Sequence, residues 1–191
     1  MTKTILYFHG FKSSSESSKA QEFKNFISRY TKNTKIIIPD LDNNFEKAHL
    51  QIEKLISDNG PEILFMGSSL GGYSALYYAQ IHKVKTVLIN PAIPPLNDFD
   101  IYLGENENYA TGKKFIITKD DISFIRSLHH KKIKNSENIL VLLESGDEIL
   151  NYIETTSYFR ASYIDIVYGG DHSYASLKSK HNKIVNFLKI T

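Results

Sequence analysis

Apolar residues along the chain form two kinds of pattern, short continuous runs and longer stretches in which they recur every three or four positions. The longer stretches predict amphipathic helices, as where Ala20, Phe23 and Ile27 share one face. The continuous runs predict buried strands. They occupy residues 4–9, 35–38, 62–66, 85–90, 114–118, 138–145 and 162–168. Because near-continuous apolar strands are typical of parallel sheets, the pattern predicts an α/β fold of about six to seven mostly parallel strands with helices on both faces.

Polar residues mark where these elements begin and how the chain is divided. Asn43 and Glu46 have the spacing of a capping box, so we expect Asn43 to cap the second helix. No repeat, low-complexity tract or linker interrupts the chain, which predicts a single domain over residues 1–191. Residues 91–135, which begin with the irregular segment 91–112, are the stretch that could form a small cap.

Composition narrows the class of protein. The formal charge of +2 is too small to indicate nucleic acid or a membrane surface as the partner. The chain has no cysteine, which excludes disulfides and a thiol nucleophile. The apolar residues 5–8 are too few for the core of a signal peptide, and no run reaches the roughly 18 apolar residues of a membrane helix. We therefore expect a cytoplasmic protein, and the sequence does not indicate its oligomeric state.

The stretch "MGSSLGGY", residues 66–73, follows the third predicted strand and opens a helix. In parallel sheets the ligand binds beyond the carboxyl ends of the strands, so this is a place to look for chemistry. The pattern Gly-x-Ser-x-Gly fits with Ser69 in the centre and Gly67 and Gly71 on either side. It fails for Ser68. The small residues are expected to clear space for a strained turn that presents Ser69, because larger side chains would collide with the neighbouring strands.

Two other interpretations of this turn are open at this point. In the first, the glycine-rich turn has a structural role alone. In the second, it is a loop that binds phosphate at a helix N-terminus. The phosphate interpretation lacks the lysine of the Gly-Lys-Ser/Thr loop and the dinucleotide pattern Gly-x-Gly-x-x-Gly.

A base and an acid follow two later strands. His172 lies in "GGDHSY" after the last strand, whereas His9 directly follows the first strand and is interpreted as structural. Asp147 comes three residues after "VLLE" and is the favoured acid, with Glu148 and Asp171 as backups. The chain order serine, acid, histidine is that of α/β-hydrolases, which predicts Ser69, Asp147 and His172 as a catalytic triad.

An oxyanion hole needs backbone N–H groups beside the nucleophile. The predicted donors are Leu70, which follows the serine, and Phe11 in "HGF" after the first strand, with Gly10 allowing close approach of the backbone. A metal site on His9, Asp147 and His172 would lack a helical His-x-x-x-His pair. We therefore expect neither a metal nor a cofactor.

Several stretches together resemble one family. They are "YFHGFKSS", "GSSLGGY", "NPA", "YLGENENYATG", "GDE" and "GGDHSY". They are similar to small bacterial esterases of the YqiA type, within the α/β-hydrolase superfamily, and the likeness spans residue 5 to about 188. The resemblance implies a carboxylic-ester hydrolase with the triad Ser69, Asp147 and His172 and a small acyl ester or thioester as substrate.

Alternatives to the esterase remain at this point. The same triad would serve a thioesterase that acts on acyl-CoA or an acyltransferase, and the fold would also serve a non-catalytic binding module. The polar stretch 102–112 either closes over the site or fixes its own loop.

Overall fold

The chain forms a six-stranded parallel sheet with helices on both faces, as described for residues 2–190 by a computed structural model. The strands are β1 (Lys3–Phe8), β2 (Thr34–Ile37), β3 (Ile63–Ser69), β4 (Thr86–Pro91), β5 (Gly104–Glu107), β6 (Lys114–Ile117), β7 (Ile139–Glu144) and β8 (Tyr163–Val167). The helices are α1 (Ser18–Tyr30), α2 (Phe45–Asn59), α3 (Leu70–His82), α4 (Lys119–Ser127), α5 (Tyr152–Tyr158) and α6 (Leu177–Leu188). Short 3₁₀ helices cover Asn97–Tyr102 and Ser136–Asn138. The predicted parallel α/β fold is confirmed.

The main sheet has the strand order β2-β1-β3-β4-β7-β8. Its central strands are apolar on both faces, because alternate side chains enter two separate cores. In β1, Ile5 and Tyr7 pack with residues of α1 and α6. Leu6 and Phe8 pack on the other face with residues of α2 and α3. This double burial explains the continuous apolar runs in the sequence.

The parallel strands bring their carboxyl ends to one edge of the sheet. Phe8 pairs with Gly67, and Ser69 pairs with Pro91 beyond an irregularity in the register. On the far side of β4, Glu144 pairs with Val167. The loops that follow β1, β3, β7 and β8 therefore meet along this edge.

The cap of α2 differs from the sequence prediction by one residue. Asn44 is the N-cap, and its side-chain oxygen accepts the N–H of Lys47 at 3.0 Å. The prediction that Asn43 caps this helix is wrong. Asn44 has the extended backbone that a cap needs, and its amide nitrogen also donates to Asp121 of α4 at 2.8 Å. One side chain thus begins α2 and ties it to α4.

The segment 91–135 is largely ordered. The strand predicted at residues 114–118 forms as β6, but it pairs antiparallel with β5 in a separate two-stranded ribbon. The ribbon, α4 and the first 3₁₀ helix enclose a third apolar cluster against the start of α3. Its buried members are Phe45, Leu70, Tyr73, Ala92, Leu96, Phe99, Ile117, Ile122 and Ile125. That this segment acts as a cap stays a prediction. Among residues 2–190, no helix is both long and apolar enough to cross a bilayer.

Candidate active site

Ser69 lies at the turn from β3 into α3. Its backbone has φ 55° and ψ −125°, a conformation that is strained for any residue other than glycine. A Cβ atom on Gly71 would lie 2.2 Å from the carbonyl oxygen of Phe8 in β1, as predicted. A Cβ atom on Gly67 would lie 2.2 Å from the carbonyl oxygen of Gly71. The obstacle at Gly67 is therefore the first turn of the helix, which corrects the expectation of a neighbouring strand there.

His172 and Asp147 reach Ser69 from the loops after β8 and β7. Nε2 of His172 lies 3.0 Å from Oγ of Ser69, and its Nδ1 lies 2.8 Å from Oδ2 of Asp147. Oδ1 of Asp147 also accepts the N–H groups of Ile149 and Leu150. The Asp147 side chain is 1% exposed. With Nδ1 protonated toward this carboxylate, Nε2 is free to accept the proton of the serine hydroxyl.

The loop that carries His172 is held in position by side chains other than those of the predicted triad. Glu148, a backup candidate for the acid, accepts the backbone N–H of His172 at 3.0 Å. The amide nitrogen of Asn90 donates to the carbonyl of Asp171 at 3.1 Å, and its oxygen accepts the N–H of Glu144 at 3.0 Å. Sequence analysis did not identify Asn90. The available signal was a polar residue at the end of the buried strand β4.

Glu144 is a fully buried carboxylate beneath the same loop. It accepts the N–H groups of Asp171 and Ser176 at 2.8 and 2.9 Å. A Cβ atom on Gly170 would lie 2.0 Å from a carboxylate oxygen of Glu144, so glycine is needed where the loop crosses it. Asp171, the other backup acid, instead accepts the N–H and hydroxyl of Ser173, and these bonds lower the pKa of its carboxyl.

Lys19 of α1 enters the site from the opposite face of the sheet. Its ammonium donates to Oγ of Ser68 at 2.8 Å, so Ser68 is bound on the side away from the cleft described below. Burial lowers the pKa of Lys19 to about 8, against the opposing effect of the nearby carboxylates of Glu144 and Asp147. Sequence analysis did not identify Lys19, because a lysine within a helix gives no sequence signal that it contacts the end of a strand.

The predicted oxyanion donors lie beside the serine. Leu70 is the first residue of α3, where helix N–H groups are free for a ligand and the dipole favours negative charge. A Cβ atom on Gly10 would lie 3.3 Å from Cβ of Ser69, so the loop with Phe11 runs directly against the nucleophile turn. His9 contacts the carbonyl of Gly10 through Nδ1, and burial lowers its pKa. The roles of Leu70 and Phe11 stay a prediction.

An open cleft of about 320 Å³ leads to Ser69. Its wall is mostly apolar, with contributions from the segment 92–102 and from the residues after Asp147. The lining residues are Phe11, Ser69, Leu70, Ala92, Ile93, Pro94, Pro95, Leu96, Asn97, Asp98, Phe99, Ile101, Tyr102, Ile149, Leu150, Asn151, Glu154 and Thr155. Its charged lining residues, Asp98 and Glu154, are both acidic.

The ionisable groups of the site do not form a metal cage. Within the described part of the chain, no group of three or more His, Asp or Glu side chains is arranged to hold a metal ion.

Comparisons with known proteins agree with this architecture. Residues 4–189 match the model of the family described as "Uncharacterised protein family (UPF0227)". The UPF0227 protein YcfP of Escherichia coli is 26% identical over 172 residues, which is 89% of each chain. Est1E from Butyrivibrio proteoclasticus, solved with ferulic acid bound, superposes with a TM-score of 0.71 at 15% identity over 98% of this chain and 88% of its own. Mouse alpha/beta hydrolase domain-containing protein 10 gives a TM-score of 0.74 at 19% identity, covering 99% and 90% of the two chains. These likenesses confirm the α/β-hydrolase fold and the expected family resemblance.

Proposed function

The chain belongs to the UPF0227 family, and we propose that it is a serine esterase. In this proposal it hydrolyses small carboxylic esters through an acyl-enzyme on Ser69. The observation that carries the proposal is the hydrogen-bonded chain from Ser69 through His172 to the buried Asp147. This chain of groups opens into an apolar cleft. A hydroxyl, an imidazole and a buried carboxylate in this order form the arrangement that activates serine for acyl transfer.

Acylation begins when Oγ of Ser69 attacks the ester carbonyl carbon and Nε2 of His172 takes its proton. The carbonyl oxygen becomes an oxyanion that accepts the N–H groups of Leu70 and Phe11. The bond to the leaving oxygen then breaks, and His172 gives its proton to the departing alcohol. Ser69 now carries the acyl group.

Deacylation repeats these steps with water. The oxygen of the water molecule attacks the acyl carbon, and Nε2 of His172 takes a proton from that water. When the second tetrahedral intermediate collapses, the same proton returns to Oγ of Ser69 and the carboxylic acid leaves. Asp147 stays ionised throughout, and it holds the imidazole in the tautomer that leaves Nε2 as the acceptor.

The cleft favours uncharged esters over acyl-CoA. Its apolar wall suits a small acyl group, and its two charged lining residues, Asp98 and Glu154, both repel anions. A coenzyme A thioester carries several phosphate charges that this surface does not complement. The triad itself would accept either an oxygen or a sulfur leaving group, so the discrimination lies in the cleft.

A fluorophosphonate reagent tests the proposal without knowledge of the natural substrate. We expect mass spectrometry to find one adduct, on Ser69, and we expect Ser69→Ala and His172→Ala to abolish it. The adjacent serine is a matched control, because Ser68 is bound to Lys19 on the other side of the strand. Ser68→Ala should still label. A folded wild-type protein that gives no adduct, or an adduct lost in Ser68→Ala alone, would contradict the proposal.

A further inference from the structure

The ribbon of β5 and β6, with the residues that lead into it, lies against the loop that follows β1. We call residues 102–117 the ribbon and residues 9–13 the oxyanion loop. We propose that the ribbon positions the oxyanion loop and that Asn108 is the positioning residue, which determines where the N–H of Phe11 points. This inference rests on the proposed function, and it assigns a role to the polar stretch 102–112.

The oxyanion loop needs support from outside. Lys12 has φ 60°, a left-handed conformation that is strained for a residue other than glycine. Within the loop, the N–H of Ser13 donates to the carbonyl of Gly10 at 3.2 Å, which is at the long end for such a bond. A strained conformation persists when surrounding structure holds it, so the contacts of Lys12 and Ser13 decide the shape of the loop.

Two hydrogen bonds from the ribbon provide that support. The backbone N–H of Tyr109 donates to the carbonyl of Lys12 at 2.9 Å. The amide nitrogen of Asn108 donates to the carbonyl of Ser13 at 2.9 Å. These bonds fix the orientation of two successive peptide groups, the one between Lys12 and Ser13 and the one between Ser13 and Ser14. The Ser13 N–H, in the first of these groups, donates to the carbonyl of Gly10, and that carbonyl shares its peptide group with the Phe11 N–H. The restraint on the Lys12–Ser13 peptide group therefore reaches the proposed oxyanion donor.

Asn108 is itself held in one orientation. Its side-chain oxygen accepts the N–H groups of Ala110 and Thr111 at 2.9 and 3.0 Å. The residue is 8% exposed. Because the oxygen faces two donors, the amide nitrogen can point only toward Ser13.

Aromatic packing strengthens the same contact. The Phe11 ring lies 4.9 Å from the Tyr102 ring and 5.9 Å from the Phe115 ring, measured between centroids. The Lys12 ammonium lies 5.2 Å from the ring centroids of both Tyr102 and Tyr109, within the range of a cation–π interaction. The side chains of the loop are therefore anchored on the ribbon as well as its carbonyls.

Asn106 offers a matched control two residues earlier in the ribbon. It is 7% exposed, as buried as Asn108. Its amide nitrogen donates to the carbonyls of Tyr102 and Gly104, which both belong to the ribbon. Loss of this amide donor therefore removes hydrogen bonds within the ribbon, whereas loss of the Asn108 donor removes a hydrogen bond to the oxyanion loop itself.

The test compares Asn108→Asp with Asn106→Asp. In Asn108→Asp the oxygen that faces Ala110 and Thr111 is kept, while the donor to Ser13 becomes an acceptor. We expect kcat for p-nitrophenyl butyrate to fall by about 10- to 100-fold with KM little changed. This loss is smaller than the roughly 10²–10³-fold fall in rate that follows complete removal of an oxyanion donor. The inhibition constant of a trifluoromethyl ketone should rise by the factor by which kcat/KM falls. The pH midpoint of kcat/KM should not move, because the triad is untouched.

Hydrogen exchange supplies a readout that needs no turnover. Amides in the peptide 8–16 should exchange faster in Asn108→Asp than in Asn106→Asp or wild type. Equal exchange in the two variants, or equal kcat in both, would overturn the inference. If Asn108→Asp does not fold, Lys12→Met removes the ammonium between loop and ribbon and should lower kcat in the same way. A wild-type protein without esterase activity or fluorophosphonate adduct would defeat the proposed function, while exchange would still decide whether Asn108 holds the loop.

Discussion

Three carboxylates surround His172, and each makes a different contact. Asp147 faces the imidazole, Glu148 holds the backbone N–H of His172, and Glu144 holds the N–H groups of the loop on either side. A catalytic histidine has to be held in both tautomer and position, and these are separate physical requirements. In the proposed mechanism, Asp147 sets the tautomer of His172, while Glu148 and Glu144 hold the backbone of its loop in position.

Replacement of Asp147 by asparagine should separate these two requirements. The amide would favour the wrong tautomer of His172, so we expect kcat to fall by about 10³–10⁴-fold with the fold intact. Ester hydrolysis and circular dichroism would measure the two effects. Glu148→Gln keeps an oxygen that accepts the His172 N–H, so its loss of kcat should be much smaller. Turnover of Asp147→Asn within a few-fold of wild type would mean that Asp147 is not the acid.

Lys19 predicts a specific dependence of stability on pH. Its pKa is about 8 in the folded protein and 10.5 in the ordinary case, so between these values the unfolded chain binds more protons. The destabilising effect of the buried charge is complete below pH 8, and the free energy of unfolding should rise as pH increases toward 10.5.

Lys19→Met is expected to remove that rise. Urea unfolding at pH 7.5, 9 and 10 measures the free energy of unfolding of both proteins. The value for Lys19→Met minus that for wild type should decrease as pH increases, because only wild type gains stability from the loss of the buried charge. Buried tyrosines such as Tyr7, whose pKa is raised by burial, titrate in both proteins and cancel in the difference. A difference that stays constant with pH would show that Lys19 does not titrate in this window.

At the scale of elements, α2 and α4 are joined through one cap. Asn44 begins α2 and donates to Asp121, while Asp121 accepts the N–H of Thr118 and completes a capping box that begins α4. The two helices therefore share a polar contact at their N-termini. Both helices also contribute to the apolar cluster beneath the ribbon, and four members of that cluster, Leu70, Ala92, Leu96 and Phe99, line the cleft.

The neighbouring asparagines test this shared cap. Asn44→Ala should lower the free energy of unfolding by about 1–2 kcal/mol, because it removes the acceptor for the Lys47 N–H and the donor to Asp121. Asn43→Ala should change it by less than about 0.5 kcal/mol. Chemical denaturation of both variants measures this. Equal losses, or a larger loss in Asn43→Ala, would contradict the assignment of the cap.

The elements that the sequence predicted are those with their own hydrophobic signal. The strands of the main sheet are continuous apolar runs, and their burial on both faces requires such runs. The strand β5, "GENE", has no apolar residue and forms because β6 pairs with it. Because those runs mark where each strand ends, the sequence also allowed Ser69, Asp147 and His172 to be proposed in the residues that follow, and the structure brings these three side chains together. Asn90 also lies at a strand end, but a lone polar residue there matches no catalytic motif. Lys19 lies within a helix, and its contact with Ser68 follows only from the packing of α1 on the sheet.

At the scale of the molecule, five separate stretches of chain meet at one edge of the sheet. The loops after β1, β3, β7 and β8 carry Phe11, Ser69, Asp147 and His172, the residues of the proposed mechanism, and the segment 92–102 closes one wall of the cleft. The whole chain has a formal charge of +2, yet the charged residues that line the cleft are acidic. The acidic lining of the cleft therefore contrasts with the positive net charge of the chain.

Charge reversal at the cleft tests this selectivity. Glu154→Lys should raise kcat/KM for butyryl-CoA relative to p-nitrophenyl butyrate by about 10-fold at low salt, and the gain should shrink as ionic strength increases. Glu62→Lys is a matched control, because Glu62 is exposed and precedes β3 at the opposite edge of the sheet. A similar gain in both variants would place the effect in the net charge and not in the cleft.

The strained turn at Ser69 has a consequence for how this protein changes under selection. Glycine adopts φ 55° without the steric cost that serine bears, so Ser69→Gly removes the nucleophile and relieves the backbone together. A library screened for heat resistance alone should therefore enrich glycine at position 69, so inactive variants would be selected over active ones. Selection for turnover would keep serine there. Any directed evolution of this chain has to screen for both properties in the same round.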